Sequence, residues 1–226
     1  MSIKKFFFGM ALLLTASAFA QQTKPAAVAS KDLPQDVLAL EMAGRLVKYG
    51  YQTKTALPLV QAVEIFKKFN VSEETPNKPN KQEGKEIATN ISKTDVVSFD
   101  EKQLLADATK FADGDKTLLA LISDAEKTTR GVTPKRIKIT GKVLAGKTDI
   151  WEYTFRSDEL ALVTVIGDGD TDLDLYIYDE DDNLIASDEN PDDNCNCTFI
   201  PEYTGLFTIK IVNMGRTYNR YILITN

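Results

Sequence analysis

The chain of 226 residues contains no histidine. That absence excludes Ser-His-Asp and Cys-His nucleophilic catalysis, and it removes every imidazole metal ligand. Cysteine is almost as scarce, with only Cys195 and Cys197 in "DDNCNCTF". Two thiols lack the two further partners that a usual zinc site needs. An oxidising compartment leaves a disulfide between Cys195 and Cys197 open, although closing so small a ring strains it and favours reduction. Their expected role is a structural staple ahead of redox chemistry. No run of basic residues occurs, and 33 acidic residues face 27 basic ones. Nucleic acid and anionic membrane surfaces are therefore poor electrostatic partners.

Long apolar runs are also missing, apart from the first residues, "MSIKKFFFGMALLLTASAFAQQ". Lys4 and Lys5 precede a short apolar stretch, and Ala18, Phe19 and Ala20 form a small-residue end. This is the layout of a secretory signal peptide cleaved after Ala20. A spanning helix needs about 20 apolar residues, and here Thr15, Ser17 and two glutamines interrupt. The mature protein is expected to be soluble and exported, either to the periplasm or beyond the cell. Losing Lys4 and Lys5 leaves 25 basic against 33 acidic residues, a net charge of −8. Divalent cations and basic surfaces are easier partners for it.

Composition then divides the remainder. Residues 21–31 are a polar leader expected to be disordered. Residues 32–131 favour helix, and residues 132–226 favour strands and turns. One helix is predicted from Asp32 and Pro34 to a stop at Gly50, and a second over 55–69. Two more fall at about 99–112, with Ser98 and Glu101 in capping-box spacing, and at about 115–129. The segment 70–97 between the pairs is polar and proline-bearing, and reads as a long surface loop. From Lys135 onward the period becomes two, and about eight strands follow at turn-punctuated spacing. The expected fold class is α+β as separate domains, a small helical domain followed by an antiparallel jelly-roll-like sandwich.

The stretch "GDGDTDLDLYIYDEDD" carries the candidate chemistry. In a strand over 172–178, Leu173, Leu175 and Ile177 point to a core, whereas Asp172, Asp174, Tyr176 and Tyr178 share the other face. Asp168, Asp170, Asp172 and Asp174 are hard oxygen donors suited to calcium. An EF-hand is excluded, because its obligatory glycine position is Leu173. Two explanations stay open: a calcium site of another kind, or aspartates that hold turns beside Gly167 and Gly169. Carboxylate-pair catalysis on glycans is the enzyme alternative. Tyr176 and Tyr178 form a candidate aromatic contact patch, although cross-strand tyrosines often cover a sheet with no ligand.

These motifs together resemble the bacterial pre-peptidase C-terminal domain. The run "GDGDTDLDLYIYDEDDNLIASDENPDD", then "TFIPEYTGLFTIKIVN" and "YNRYILIT", carries the resemblance over residues 135–226. Its strand motif falls on Asp172, Asp174, Leu175 and Tyr176, its Ser-Asp on Ser187 and Asp188, and its late motif on Tyr203, Gly205 and Phe207. The resemblance implies a β-sandwich appended to secreted proteins, often peptidases, where it aids secretion or adheres to substrate. Relatives in collagenases bind calcium and collagen. The departure is upstream, where the usual peptidase domain has no counterpart among the helical residues. The functional expectation is a non-enzymatic binding or accessory module for a protein or glycan surface, with calcium as its candidate ion. The alternatives are a carboxylate-dependent hydrolase and a structural envelope protein that assembles with itself.

Overall fold

The computed structural model describes residues 33–74, 80–87 and 97–226. The signal peptide, the polar leader and residues 75–79 and 88–96 of the loop expected at 70–97 lie outside the described residues.

Helix α1 (Gln35–Thr53) follows Pro34, and Lys54 ends it in the left-handed conformation with φ 54°. Gly50, expected to stop this helix, lies buried inside it. Its missing side chain lets α2 (Ala56–Lys68) approach through Leu59. Close packing, not termination, is what this glycine serves. Two three-residue strands come next, β1 (Val71–Glu73) and β2 (Lys81–Glu83), inside the segment read as loop. Three residues of mixed polarity carry no readable period, so their pairing is set by the sheet edges they join.

Helix α3 (Glu101–Phe111) is capped by Asp100, whose carboxylate accepts from Gln103 N at 2.8 Å. Asp100 takes the place expected of Ser98, which instead accepts from Asp100 N. Helix α4 (Lys116–Lys127) is capped by Asp115 on Thr117 N and Leu118 N. The eight expected strands follow: β3 (Arg136–Val143), β4 (Thr148–Phe155), β5 (Ala161–Gly167), β6 (Leu173–Tyr178), β7 (Leu184–Asp188), β8 (Asn194–Phe199), β9 (Gly205–Asn213) and β10 (Asn219–Thr225).

The ten strands form two five-stranded sheets, ordered β1-β3-β10-β5-β8 and β2-β4-β9-β6-β7. All pairings are antiparallel except β1 with β3. The inner faces share one core, in which Val163, Val165, Leu173, Leu175, Ile177, Phe207, Ile209, Ile211 and Leu223 are buried. Phe155, Phe199 and Phe207 meet there with ring centroids 5.2 to 5.7 Å apart.

The first sheet is sandwiched between this core and the helices, and we call it the covered sheet. Ile166 of β5 and Ile222 and Ile224 of β10 belong to the same apolar cluster as Leu40, Val47, Leu59, Val63, Phe66 and Leu104 of the helices. Gly44 allows the contact: a Cβ on it would stand 2.3 Å from Ile166. Two buried lysines add polar ties, Lys138 from the sheet to the helical layer and Lys67 between helices α2 and α4. Lys138 Nζ donates to Phe99 O at 2.8 Å, and Lys67 Nζ donates to Ala125 O and Glu126 O at the end of α4. The second sheet, the open sheet, has no helix over its outer face among the described residues, and its outward side chains there are mostly half-buried.

Candidate functional site

The acidic loop is built by its neighbours. Gly167 N donates to Asp193 O at 2.7 Å, Leu173 N to Asp192 O at 3.1 Å, and Met214 N to Asp172 O at 3.0 Å. Gly169 takes φ +95°, and its N–H donates to the Asp193 carboxylate. Asp193 is buried, and its other oxygen pairs with Lys48 Nζ of α1 at 2.6 Å. Lys48 also donates to Asn194 Oδ1 at 3.0 Å, while Arg45 reaches Asp192 at 3.1 Å. An ammonium group from the helical layer thus already neutralises the carboxylate that organises this loop.

The four candidate metal aspartates are spread along this arrangement. Asp168 is buried and accepts from Arg220 N at 3.0 Å, while its own N–H donates to Asn219 Oδ1. Asp170 is exposed. Asp172 and Asp174 lie closer to one another. Asp174 is only 8% exposed, and burial, then the charge of Asp172, raises its carboxyl above the usual value, with Glu189 and Asp188 adding to the effect. Among the described residues no three His, Cys, Asp or Glu side chains gather as they would around one ion.

Tyr176 and Tyr178 do share the outer face of the open sheet with Asp174, as the alternation predicts. Tyr176 OH donates to Asp174 Oδ2 at 3.3 Å, and burial with this neighbouring charge pushes the phenol up to about 12. Register places three rows across β6, β9 and β4: Asp174, Val212 and Thr148; Tyr176, Lys210 and Ile150; Tyr178, Thr208 and Glu152. Lys210 Nζ stands 4.3 Å from the Tyr178 ring centroid, a cation–π contact. The face therefore offers aromatic, aliphatic and charged groups side by side.

Cys195 and Cys197 are free thiols, both buried on the core side of β8. Strand geometry accounts for this, since residues two apart in an extended chain lie about 6.6 Å apart, at the far end of the disulfide range. Cys195 Sγ donates to Leu173 O at 3.0 Å, and burial pushes both thiols far above their ordinary value. They are inert core residues in this state.

The motif residues outside the loop are structural. Asp188 accepts from Asn196 N at 2.8 Å and from the Asn190 amide at 2.7 Å, closing the β7–β8 connection. Tyr203 stacks on Phe207 with centroids 5.7 Å apart.

A polar group went unnoticed in the sequence. Tyr221 OH donates to Asp149 Oδ2 at 2.6 Å and accepts from Trp151 Nε1 at 2.7 Å, all inside the sandwich. Asp149 is fully buried, and burial raises its carboxyl to about 6. The signal was available, because Asp149 occupies the apolar phase of "TDIWEYTF" together with Trp151 and Phe155.

No protein-family model matches the sequence. No curated protein matches it either. Among solved structures, the pre-peptidase C-terminal domain of collagenase from Bacillus anthracis is similar over 39% of this chain and 87% of that chain, with a TM-score of 0.36 and 16% identity. The similarity falls in the C-terminal, sandwich-bearing half.

Proposed function

We propose that the protein is an exported, non-enzymatic accessory protein that presents the open sheet to a protein or glycan surface. The observation that carries this is the asymmetry of the sandwich. One sheet spends both faces on cores, while the other leaves Tyr176, Tyr178, Lys210, Ile150 and Val212 on a face that no helix covers among the described residues. Aromatic side chains of this kind supply contact area at small ordering cost.

The carboxylate-hydrolase alternative fares worse on geometry. Among the described residues the two carboxyls raised by their surroundings are Asp149 and Asp174. They project from opposite faces of the open sheet, Asp149 into the core against Tyr221 and Asp174 outward beside Tyr176. Two acids must flank one glycosidic bond within about 5–9.5 Å on either side of the sugar, which opposite faces of a sheet do not provide. Export rests on the signal-peptide layout of the first twenty residues.

Within this proposal the candidate calcium ligands are Asp168, Asp170, Asp172 and Asp174, with negative charge crowded around Asp174. The test combines binding and melts. The full chain is screened against immobilised matrix proteins and glycans, alongside a Tyr176→Ala, Tyr178→Ala variant. Retention of a ligand by the wild type that the folded variant loses supports the proposal. Ligand turnover abolished by Asp174→Asn would overturn it in favour of an enzyme. A melting midpoint unmoved by millimolar calcium, in wild type and Asp174→Asn alike, removes the ion from the function.

A further inference from the structure

The common core runs out at one end of the sandwich, where β3 begins and β4 ends, and a cavity of about 360 Å³ lies there. Its volume falls in the range of small-ligand sites, roughly 300–1,000 Å³. Ile137 of the covered sheet and Tyr153 of the open sheet pack half-buried against that core, and both line the cavity. Phe155 and Ala161 continue the apolar lining, and Phe155 is fixed edge-on against Phe199 and Phe207. The floor of the cavity is therefore set by the core itself.

Its rim is fastened as well. The turn from β4 to β5 is anchored by Ser157 N on Thr204 Oγ1 at 2.9 Å and by Asp158 N on Pro201 O at 3.1 Å. Asn226 holds the start of β5, its amide donating to Leu160 O at 2.7 Å and its Oδ1 accepting from Leu162 N at 2.9 Å. Arg156 and Glu159 belong to this rim, and Lys135 to its β3 side. Both cations are more than half exposed, and their carboxylate neighbours stand beyond hydrogen-bond length, Glu74 at 3.8 Å from Lys135 and Glu159 at 3.7 Å from Arg156. A guanidinium has five donors in a fixed fork, so a carboxylate at that distance leaves them for an incoming acid.

An apolar floor and a rim with two cations against one carboxylate select one kind of occupant. We propose that the cavity binds a small amphipathic carboxylate, whose apolar chain lies among Ile137, Tyr153, Phe155 and Ala161 and whose carboxylate takes hydrogen bonds from Arg156 and Lys135. The floor selects an apolar body, and the surplus positive charge selects an acid. Because floor and rim are held in place beforehand, little has to be ordered when the ligand enters. The site lies between the sheets and is independent of the open outer face and of what binds there.

The experiment titrates the full chain with octanoate and, separately, with octanol, by calorimetry and by amide resonance shifts. Octanoate binds saturably and shifts Ile137, Phe155 and Ala161. Octanol, which has the same chain without the charge, binds about tenfold more weakly or worse. Octanoate binding weakens about tenfold or more in the Lys135→Glu, Arg156→Glu variant, through lost charge complementarity, and likewise when Ala161→Leu fills the cavity. The charge variant changes only exposed side chains, so it keeps the test decisive if Ala161→Leu fails to fold. The Tyr176→Ala, Tyr178→Ala variant binds octanoate as the wild type does, which separates this site from the outer face. Absence of saturable octanoate binding, equal affinity for octanol, indifference to the charge reversal, or shifts mapped to another part of the sandwich overturns the proposal.

Discussion

Asp149 shows how a single residue couples the sandwich to pH. The carboxyl is fully buried between the sheets, hydrogen-bonded to Tyr221, and raised to about 6 by that burial. A carboxyl whose folded pKa lies above its unfolded value binds its proton more tightly when folded. Its stabilisation is complete below about pH 4 and is lost as pH rises through about 6. At one pKa unit per 1.36 kcal/mol, the range amounts to about 3 kcal/mol. Asp149→Asn keeps the Tyr221 contact without the charge, so its stability exceeds that of wild type at pH 7.5 and varies less between pH 4 and 7. Urea midpoints across that range check this, and a variant whose profile parallels wild type sinks the idea. Tyr221 needs space as well: a Cβ on Gly141, its partner in β3, would lie 2.2 Å from the Tyr221 ring. Gly141→Ala therefore costs about 1–3 kcal/mol by overpacking, measured by the same denaturation. Asp149 was legible only as an acid on the apolar phase of its strand, and the demand on Gly141 was not legible at all, because it is set by Tyr221 on the neighbouring strand β10.

At the scale of elements, the strands were largely legible and the reason is periodicity. β6 and β9 alternate, since one face of the open sheet meets the core and the other does not. β5 and β10 are buried almost throughout, with unbroken apolar runs such as Tyr221 to Ile224, since both faces of the covered sheet are buried. That second pattern was a message about the helices: Ile166, Ile222 and Ile224 required a cover that only α1 and its neighbours supply. The acidic loop 167–172 was legible as turns but its tether was not, because Lys48 lies far away in sequence. Lys48→Met leaves the buried Asp193 carboxylate uncompensated. Breaking such a pair costs about 3–5 kcal/mol when both groups are deeply buried; Lys48 retains some exposure, which places this case at or below the lower end. Amide exchange should quicken at Gly167 and Gly169, whose N–H groups depend on Asp193. Unchanged exchange there, in a variant that melts like wild type, would show that the loop holds itself.

The whole molecule follows from the same covered sheet. Composition divides the chain near residue 132 into a helical half and a strand half, read as separate domains. Packing joins them, for the helices and β5 and β10 share one apolar cluster, with Leu33, Val37 and Leu162 forming a smaller one nearby. Composition reports local preference, whereas the joint core depends on which strand faces point outward, and that emerges only when the sheet is assembled. Burying an isoleucine contributes about 1.5–3 kcal/mol, so Ile166, Ile222 and Ile224 make the helical layer a large part of the stability of the sandwich. Lys138, only 2% exposed and bonded to Phe99 O, adds a polar tie across the same boundary. The full chain should accordingly melt in one cooperative transition. A fragment of residues 132–226 exposes the three isoleucines as a contiguous patch on a face meant for a core, and such patches drive association. It should self-associate and melt below the full chain. Ile166→Thr, Ile222→Thr and Ile224→Thr together should restore a monomer in the fragment while destabilising the full chain. Sedimentation and thermal melts read both arms, and a monomeric fragment melting at the midpoint of the intact protein would mean that the helices only sit beside the sandwich.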